Sequence, residues 1–245
     1  MRQCTHHLGL AQGMIISNVW LLTDEQHHRF LIDAGHEIER PALRLALWRA
    51  GLRRPGDLTA VLLTHRHSDH AGNAQWLRNR FRCPIVCHEN DAPLLAGEQS
   101  PARLRRGAGR PWEELFCLLE DRVPARSAVD EAVKIGPWRD GFVFFPAYGH
   151  TEGSVLIYHE PTMTLFTGDA LLSGIPPWRW LERFYLAITP FSVDVEQCHR
   201  RTLEFLRRPP PIHYLCAGHG PFVHRRTEAK LRRFFQQEQP GNEGF

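Results

Sequence analysis

The sequence lacks any apolar run of about 18 residues, the length that a helix needs to cross a lipid bilayer. Its opening segment, 1–13, lacks the basic stretch followed by an apolar stretch that marks a secretory signal. We therefore predict a chain that neither spans a membrane nor is secreted, and that resides in the cytoplasm.

Cysteine is scarce, with six residues dispersed over 245, too few for a disulfide scaffold in a chain of this length. Cys83 and Cys87 form the one close pair, and they would share a face of an extended segment. A redox or metal pair is one interpretation. Buried small hydrophobic side chains are the simpler one.

Lysine is nearly absent, occurring only as Lys134 and Lys230, so almost all of the 30 basic residues are arginine. They are scattered among 27 acidic residues, and the formal net charge is only +3. This balance contains no basic stripe of the kind that nucleic-acid-binding proteins carry. We predict a small-molecule substrate and no nucleic-acid or membrane partner, and the sequence leaves a homodimer open.

No internal repeat, low-complexity tract or long linker divides the chain, which predicts a single domain over residues 1–245. Apolar β-rich runs alternate with amphipathic segments, which favours a layered α/β domain with sheets inside and helices outside. The predicted strands include 14–22, 29–32, 60–63, 84–88, 142–147, 154–159, 164–167 and 212–216. The predicted helices include 41–50, 72–80, 90–96, 112–121, 193–206 and 227–237.

Histidine is the unusual component, with 15 residues. Five of them, with two aspartates, lie in short segments that each follow a predicted strand, where side chains project from a rigid edge into a crevice. Imidazole with carboxylate is the ligand set expected for zinc, with iron or manganese as alternatives. The segments are THRHSDH at 64–70, GHTEGS at 149–154, TGD at 167–169 and AGHG at 217–220.

The first segment can serve two cations. His65 and His67 alternate along an extended chain, so their imidazoles turn to one side and can share one ion. Asp69 and His70 lie past a turn and can reach a second ion nearby. Seven ligands suffice for two divalent ions, preferably zinc, if one aspartate bridges them.

The segments HRHSDH, GHTEGS, GDALLSG and AGHG resemble, in order, the signature segments of the metallo-β-lactamase superfamily. The resemblance covers most of the chain and implies a four-layer αββα sandwich with the metals at one edge of the two sheets. It also implies a ligand set: one metal held by His65, His67 and His150, a second by Asp69, His70 and His219, and Asp169 bridging both.

This resemblance implies a metal-dependent hydrolase. We expect a hydroxide that bridges the two metals to attack the carbonyl of an ester, thioester or lactone, while one metal polarises that carbonyl. Asp69 would act as the catalytic residue that orients the hydroxide and passes its proton to the leaving group.

The segment after the bridging aspartate bears on the substrate. With an aspartate, Asp169, at the bridging position, the sequence resembles the glyoxalase II and lactonase branches more than the classical β-lactam-cleaving enzymes, which lack one there. Leu172 stands at the position where lactonases that open acyl-homoserine lactones commonly have tyrosine, which weakens the lactonase interpretation. It does not exclude it, because Tyr185 in the following loop can reach the site. Residues 173–180 read SGIPPWRW instead of the Gly/Cys/Arg-rich stretch of glyoxalase II, which argues against a glutathione thioester.

Two loops are singled out by composition. The segment 99–110, rich in Arg, Gly and Pro, is predicted to be mobile, and 171–191 is predicted to line the substrate pocket. Aromatic residues there can wall an apolar pocket and an arginine can fix a carboxylate or phosphate, but packing of the loop onto the domain, or a dimer contact, explains the aromatics equally well. The predicted substrate-binding residues are Trp178, Arg179, Trp180, Arg183 and Tyr185.

Three other functions stay open at this point. The sequence is compatible with an iron-dependent sulfur (persulfide) dioxygenase and with a β-lactam hydrolase. A metal-bearing ligand-binding protein with little turnover is the alternative from outside the enzymes. Metal content and a panel of thioesters, lactones and β-lactams distinguish these functions.

Overall fold

The computed structural model describes residues 5–7, 15–104, 111–175 and 180–239. Its strands are β1 (Thr5–His7), β2 (Trp20–Thr23), β3 (Arg29–Ile32), β4 (Ala60–Leu62), β5 (Ile85–His88), β6 (Glu131–Val133), β7 (Gly136–Pro137), β8 (Phe142–Pro146), β9 (Val155–His159), β10 (Thr164–Gly168), β11 (Leu171–Leu172), β12 (Tyr185–Leu186) and β13 (Tyr214–Ala217). Its α-helices are α1 (Arg40–Arg49), α2 (Ser68–Ala71), α3 (Ala74–Phe81), α4 (Ala92–Ala96), α5 (Pro111–Arg122), α6 (Val195–Arg207) and α7 (Thr227–Gln237).

Most of these strands form two sheets. The first has the order β1-β2-β3-β4-β5-β6 and the second the order β13-β10-β9-β8-β7, while β11 and β12 pair separately. Strands β3 to β6 run parallel to one another, and β13 runs parallel to β10. Parallel neighbours end at the same edge of a sheet, so the residues after β4, β10 and β13 can meet.

Alternating side chains pack the sheets in layers. Trp20, Leu22 and Phe30 of the first sheet meet Phe144 and Ile157 of the second in one apolar cluster. The intervening residues point outward, where α1 and α3 cover the first sheet and α6 and α7 cover the second. Residues i and i+2 of a strand share a face, so alternate side chains of each strand point toward the other sheet and toward the helices. Both faces of each sheet are therefore buried. The result is the predicted αββα sandwich.

The elements differ from the predictions mainly at their ends. The predicted strand 14–22 begins only at Trp20, because the backbone amides of Ile15 and Ile16 donate to the Glu39 carboxylate rather than to a neighbouring strand. Strands β1, β6, β7, β11 and β12 were not predicted, since each has only two or three residues and shows no period. The single-turn helix α2 was likewise not predicted, since the sequence indicated only a turn before Asp69.

Cys83 and Cys87 both pack into the apolar cluster beneath α1 and α3. Burial raises the pKa of the Cys83 thiol to about 11 and raises that of Cys87 further. Such thiols are protonated at neutral pH and unreactive, which supports their interpretation as buried small hydrophobic residues.

Part of the predicted mobile loop, 105–110, lies outside the described residues. Just before it, Leu104 is buried, and its backbone amide donates to Asp121 at 3.2 Å. No helix in the described ranges is long and apolar enough to cross a membrane.

Candidate metal centre

The seven predicted ligands are brought together beyond the ends of strands in both sheets. His65 follows β4, His150 lies in the turn between β8 and β9, Asp169 directly follows β10, and His219 follows β13. The remaining three lie on α2 or immediately before it: His67, Asp69 and His70.

His65, His67 and His150 form the first ligand group. Their candidate ligand atoms all lie within 4.8 Å of one another, and Nδ1 of His67 is 3.0 Å from Nε2 of His150. Two nitrogens bound to one tetrahedral zinc ion lie about 3.3 Å apart, given Zn–N bonds of about 2.0–2.1 Å. This spacing fits a shared cation.

Asp69, His70, Asp169 and His219 form the second group, again with candidate ligand atoms within 4.8 Å of one another. Nε2 of His219 lies 3.3 Å from Oδ2 of Asp69 and 3.2 Å from Oδ2 of Asp169. Nε2 of His70 lies 3.3 Å from Oδ1 of Asp169. Two imidazoles and two carboxylates therefore converge on one point.

Asp169 faces both groups. Its Oδ2 atom, 3.2 Å from His219 Nε2, is also 3.7 Å from Nε2 of His150 in the first group. The side chain thus occupies the place that a carboxylate shared by two cations would need.

Several polar atoms at the centre are buried without a hydrogen-bond partner in the described part of the chain. They include Nε2 of His65, Nε2 of His70 and Oδ1 of Asp169. Burying such atoms unpaired is costly, so native proteins satisfy them almost without exception. Cations coordinated by these atoms would supply the missing interaction, so the donor set fits divalent metal ions.

The first group is a set of neutral imidazoles. Burial, reinforced by the neighbouring imidazoles, lowers the pKa of His65 well below its ordinary value. The same cause lowers the pKa of His67, and that of His150 to about 4. Neutral imidazole is the form that binds a metal, so this group is ready for a cation at neutral pH.

The second group is held together by charge. Burial alone would lower the pKa of His70 and His219, but the adjacent carboxylates outweigh it, raising the first well above its ordinary value and the second to about 9. Burial would likewise raise the pKa of Asp69 and Asp169, yet the two imidazoles lower both well below the ordinary range. The carboxylates are therefore ionised at neutral pH, as metal ligands must be.

The profile of the metallo-β-lactamase superfamily matches residues 13–219. The chain belongs to this superfamily. It is 28% identical over 195 residues to the probable metallo-hydrolase YybB of Bacillus subtilis (strain 168), covering 80% of this chain and 77% of that protein. It is 31% identical over 159 residues to the hydroxyacylglutathione hydrolase GloC of Haemophilus influenzae, covering 64% of this chain and 68% of that protein.

Solved structures show the same fold. The BLEG-1 B3 metallo-β-lactamase matches 98% of this chain and 100% of its own, with a TM-score of 0.59 and 22% identity. The superfamily and fold predicted from the sequence are therefore confirmed. Membership points to a metal-dependent hydrolase.

The metallo-β-lactamase centre of this chain has outer partners that the sequence did not reveal. Asp33, buried at the end of β3, accepts hydrogen bonds from Nδ1 of His70 at 2.8 Å and from the Thr64 amide at 2.8 Å. Thr64 Oγ1 is 3.0 Å from Nδ1 of His65, and Ser192 Oγ is 3.1 Å from Nδ1 of His150. Each contact occupies Nδ1 and leaves Nε2 for the metal. Asp33 is itself a strand-end aspartate, the one sequence signal that pointed to it.

A second set of buried charges supports the loop that carries His150. Asp91 accepts hydrogen bonds from Thr151 Oγ1 and from the Gly153 amide, both at 2.7 Å. Burial raises the pKa of Asp91 to about 6. Arg66, buried between the two ligand histidines of the first segment, pairs with Glu152 at 2.9 Å. The Arg66–Glu152 pair therefore joins the first and second ligand-bearing segments.

Gly218 is required because the backbone passes very close to side chains of the second ligand group there. A Cβ atom at Gly218 would collide with Oδ1 of Asp169 and with the His70 ring. Only glycine lets the end of β13 pass this close to the second ligand group.

His88 also ends a strand but is not a ligand of either group. Its Nδ1 accepts a hydrogen bond from the Asn90 amide at 3.2 Å, so the neutral ring carries its proton on Nε2. That nitrogen lies 2.9 Å from the Tyr148 hydroxyl. His88 is therefore a satisfied buried histidine.

The predicted substrate-binding residues are only partly described. Trp178 and Arg179 lie outside the described residues, and Trp180 is exposed. The Arg183 guanidinium lies 5.4 Å from the centre of the Tyr185 ring, and Tyr185 pairs with Leu172 across the β11–β12 hairpin. Their contact with substrate stays a prediction.

One aromatic of the same loop supports the packing interpretation. The ring centre of Phe184 lies 5.7 Å from that of Phe234 on α7, and Phe184 packs against the outer cluster of the second sheet. This side chain anchors the loop to the domain.

Proposed function

We propose that this protein is a dinuclear metal-dependent hydrolase that cleaves an ester, thioester or lactone. The observation that carries the proposal is the placement of Asp169, whose Oδ2 lies within 3.7 Å of a histidine nitrogen from each ligand group. Two bound divalent cations would supply a hydroxide nucleophile at neutral pH and polarise the substrate carbonyl.

Each of the two ligand groups would hold one cation. The neutral first group suits zinc, which is commonly bound by three imidazoles. The second group, with two carboxylates, suits zinc, iron or manganese. Zinc in both groups is our proposal: His65, His67 and His150 would hold one ion, Asp69, His70 and His219 the other, and Asp169 both.

Asp69 is the proposed catalytic residue. The adjacent imidazoles hold its pKa well below the ordinary range, so the side chain is an ionised carboxylate at neutral pH. The Ser17 hydroxyl donates a hydrogen bond to the backbone carbonyl of Asp69, which fixes the residue on α2. Its side chain is the most exposed of the second ligand group, and we propose that it takes a proton from an attacking water and passes it to the leaving group.

An acyl substrate is favoured by the relative named hydroxyacylglutathione hydrolase, since an acylglutathione is a thioester. The SGIPPWRW segment at 173–180 favours an acyl compound other than a glutathione derivative, with an apolar part. The substrate is a small molecule, and the proposed location is the cytoplasm.

The first test is metal analysis of the purified full chain, followed by assays with thioesters (including a hydroxyacylglutathione), esters, lactones and β-lactams. Two zinc ions per chain with turnover of an acyl substrate supports the proposal. One iron per chain with persulfide oxidation would overturn it in favour of a dioxygenase, and selective β-lactam cleavage in favour of a lactamase. Two metals without turnover of any substrate would indicate a binding protein.

The second test replaces Asp69. At saturating metal, we expect Asp69→Ala to lose turnover by at least about 100-fold, the lower range for a general acid–base group. Metal in the first ligand group should be retained, because that group does not include Asp69. Glu160→Ala, at an exposed turn, is the control and should keep full activity. Full activity of Asp69→Ala would refute the assigned role.

A further inference from the structure

His219 differs from the other ligand histidines in how its ring is held. Three of them, His65, His70 and His150, each have a hydrogen-bond partner at Nδ1 that lies outside the ligand groups. Within the described residues, no such contact reaches Nδ1 of His219. The direction of this imidazole therefore depends on the backbone that carries it.

The ligands on α2 are held differently from His219. Asp69 and His70 lie on a helix whose start is fixed from α5, since the Glu120 carboxylate accepts from the Ser68 amide at 3.1 Å. Glu120 is half-buried, whereas its apolar neighbour on α5, Leu119, is exposed. The remaining ligand of this group in a loop of its own, His219, follows β13 and has no helix to carry it.

Asn18 holds the chain on both sides of His219. This residue is fully buried. Its backbone amide donates to the carbonyl oxygen of Gly218 at 2.7 Å. Its side-chain NH₂ group donates to the carbonyl oxygens of Ala217, at 3.0 Å, and Gly220, at 2.8 Å. One side chain and one amide thus account for three carbonyl groups of the connection after β13.

Ser173, directly after β11, accounts for the other two. It is also fully buried, and its backbone amide donates to the carbonyl oxygen of His219 at 3.1 Å. Its hydroxyl donates to the carbonyl oxygen of Pro221 at 2.6 Å, with that of His219 at 3.2 Å. Every carbonyl oxygen from 217 to 221 therefore accepts from one of these two residues. We call Asn18 and Ser173 the His219 clamp.

Gly220 allows the clamp to close. Its φ angle is +99°, and a Cβ atom there would collide with the amide nitrogen of Gly174 and with the carbonyl carbon of Ser173. A glycine meets both requirements at no steric cost. The segment that carries His219 and the segment that begins at Ser173 are therefore packed backbone against backbone.

Ser173 also closes the loop that is predicted to line the substrate pocket. Its carbonyl oxygen accepts from the Arg183 amide at 2.9 Å, so the chain leaves Ser173 for this loop and returns to it. One residue thus joins the base of the loop to the segment that carries His219.

We propose that Asn18 and Ser173 are positioning residues that hold His219, through its backbone, as a ligand of the second metal ion. A ligand has to be kept close to its bonding geometry by the residues that support it. Without the clamp, the connection after β13 would shift and carry Nε2 of His219 away from Asp69 and Asp169. This inference rests on the proposed second cation, but it does not rest on hydrolysis.

The first test is a chelator competition titration of the full chain with Zn²⁺, in which His219→Ala shows which binding step belongs to the second group. Ser173→Ala should weaken that step by at least about 10-fold, the lower end for loss of a contact that orients a ligand, and leave the other step nearly unchanged. Asn18→Ala should act in the same direction.

Two other serines provide matched controls. Ser192→Ala removes the hydroxyl that lies 3.1 Å from Nδ1 of His150, so it should weaken the step of the first group instead. Ser127 is buried too, but its hydroxyl donates only to the neighbouring Ala128 carbonyl oxygen. Ser127→Ala should change neither step.

Cobalt gives a spectroscopic readout of the same ligand. At saturating Co²⁺, the visible absorption of the ion in the second group depends on its ligands and their geometry. This band should change in Ser173→Ala, because the imidazole of His219 is displaced. It should stay as in the wild type in Ser127→Ala.

A measurement without metal tests the clamp separately from the second cation. In the metal-free protein, hydrogen exchange of the amide at position 173 reports how often its bond to the His219 carbonyl oxygen opens. We expect Ser173→Ala and Asn18→Ala each to accelerate this exchange by about 5-fold or more, the effect of losing one hydrogen bond. Ser127→Ala should leave it unchanged.

Wild-type affinity of the second group and wild-type exchange in both clamp variants would overturn the proposal. An equal loss at both groups, or the same loss in Ser127→Ala, would overturn it too, since either shows a general effect on the fold. A wild-type chain that binds a single metal ion would instead refute the proposed second cation. Faster exchange in the clamp variants would then still show that Asn18 and Ser173 hold His219.

Discussion

Replacing Asp33 by asparagine tests whether a carboxylate outside the two ligand groups determines how tightly the second group binds its metal. Asp33 is buried, and its two oxygens accept from the Thr64 amide and from Nδ1 of His70, each at 2.8 Å. The second contact holds a proton on Nδ1 of His70, so the proton that a bound metal displaces is the one on Nε2. Asparagine has nearly the same shape, but one of its ends is an NH₂ donor.

Either orientation of the new amide breaks one contact. With NH₂ toward His70, the ring is driven to carry its proton on Nε2, where it can no longer bind a metal. With NH₂ toward Thr64, two donors face each other. Loss of the hydrogen-bond partner of a metal-binding histidine typically lowers metal affinity by 10- to 100-fold. The unmet buried group costs about 1–3 kcal/mol in the free energy of unfolding.

The assay is a chelator competition titration that resolves the two metal-binding steps, together with thermal unfolding of the metal-free protein. We expect Asp33→Asn to weaken the second step by about 10- to 100-fold and to leave the first nearly unchanged. Asp130→Asn is the control, because Asp130 also accepts a backbone amide hydrogen bond, from Ile85, but lies on neither ligand group. Wild-type affinity at both steps, or equal loss at both, would refute the reasoning.

Three other predictions follow from the same contacts. Gly218→Ala should lower metal content measured by elemental analysis, because the added methyl group displaces Asp169; a fully loaded variant would contradict this close approach. Burial raises the pKa of Asp91 to about 6 in the folded state from an ordinary 3.8, so the fold disfavours the ionised form, and the stabilisation present below pH 3.8 is lost as pH rises through 6. Relative to Asp91→Asn, the wild-type free energy of unfolding should fall by about 3 kcal/mol over that window, and a constant difference in denaturant titrations would show that Asp91 is not perturbed. Glu120→Ala should reduce kcat for the acyl substrate while Glu120→Gln, which keeps an oxygen acceptor for the start of α2, restores most of it; equal losses would exclude a positioning role through that hydrogen bond.

The ligand set was predictable because it is local and repeated. Each ligand-bearing segment places histidine or aspartate directly after an apolar run, and strand ends project side chains by geometry alone. His65 and His67 alternate along the chain, and the structure holds their ring centres 4.9 Å apart. His88 shows the limit of the signal: it also ends a strand, yet it bonds to Tyr148, a contact that no local pattern encodes.

Apolar periodicity in the sequence determined a layered α/β domain, and the chemistry of the donors at strand ends indicated the seven residues that meet, whereas the αββα arrangement was implied by the resemblance to the superfamily. Only the tertiary structure decided which partners orient those donors, since Asp33 and Asp91 act across separations of 37 and 60 residues on His70 and Thr151. It also decided the direction of α5. Periodicity shows that a helix has two unlike faces, but contacts such as Glu120 with Ser68 determine which face turns inward, and here they turn the polar one.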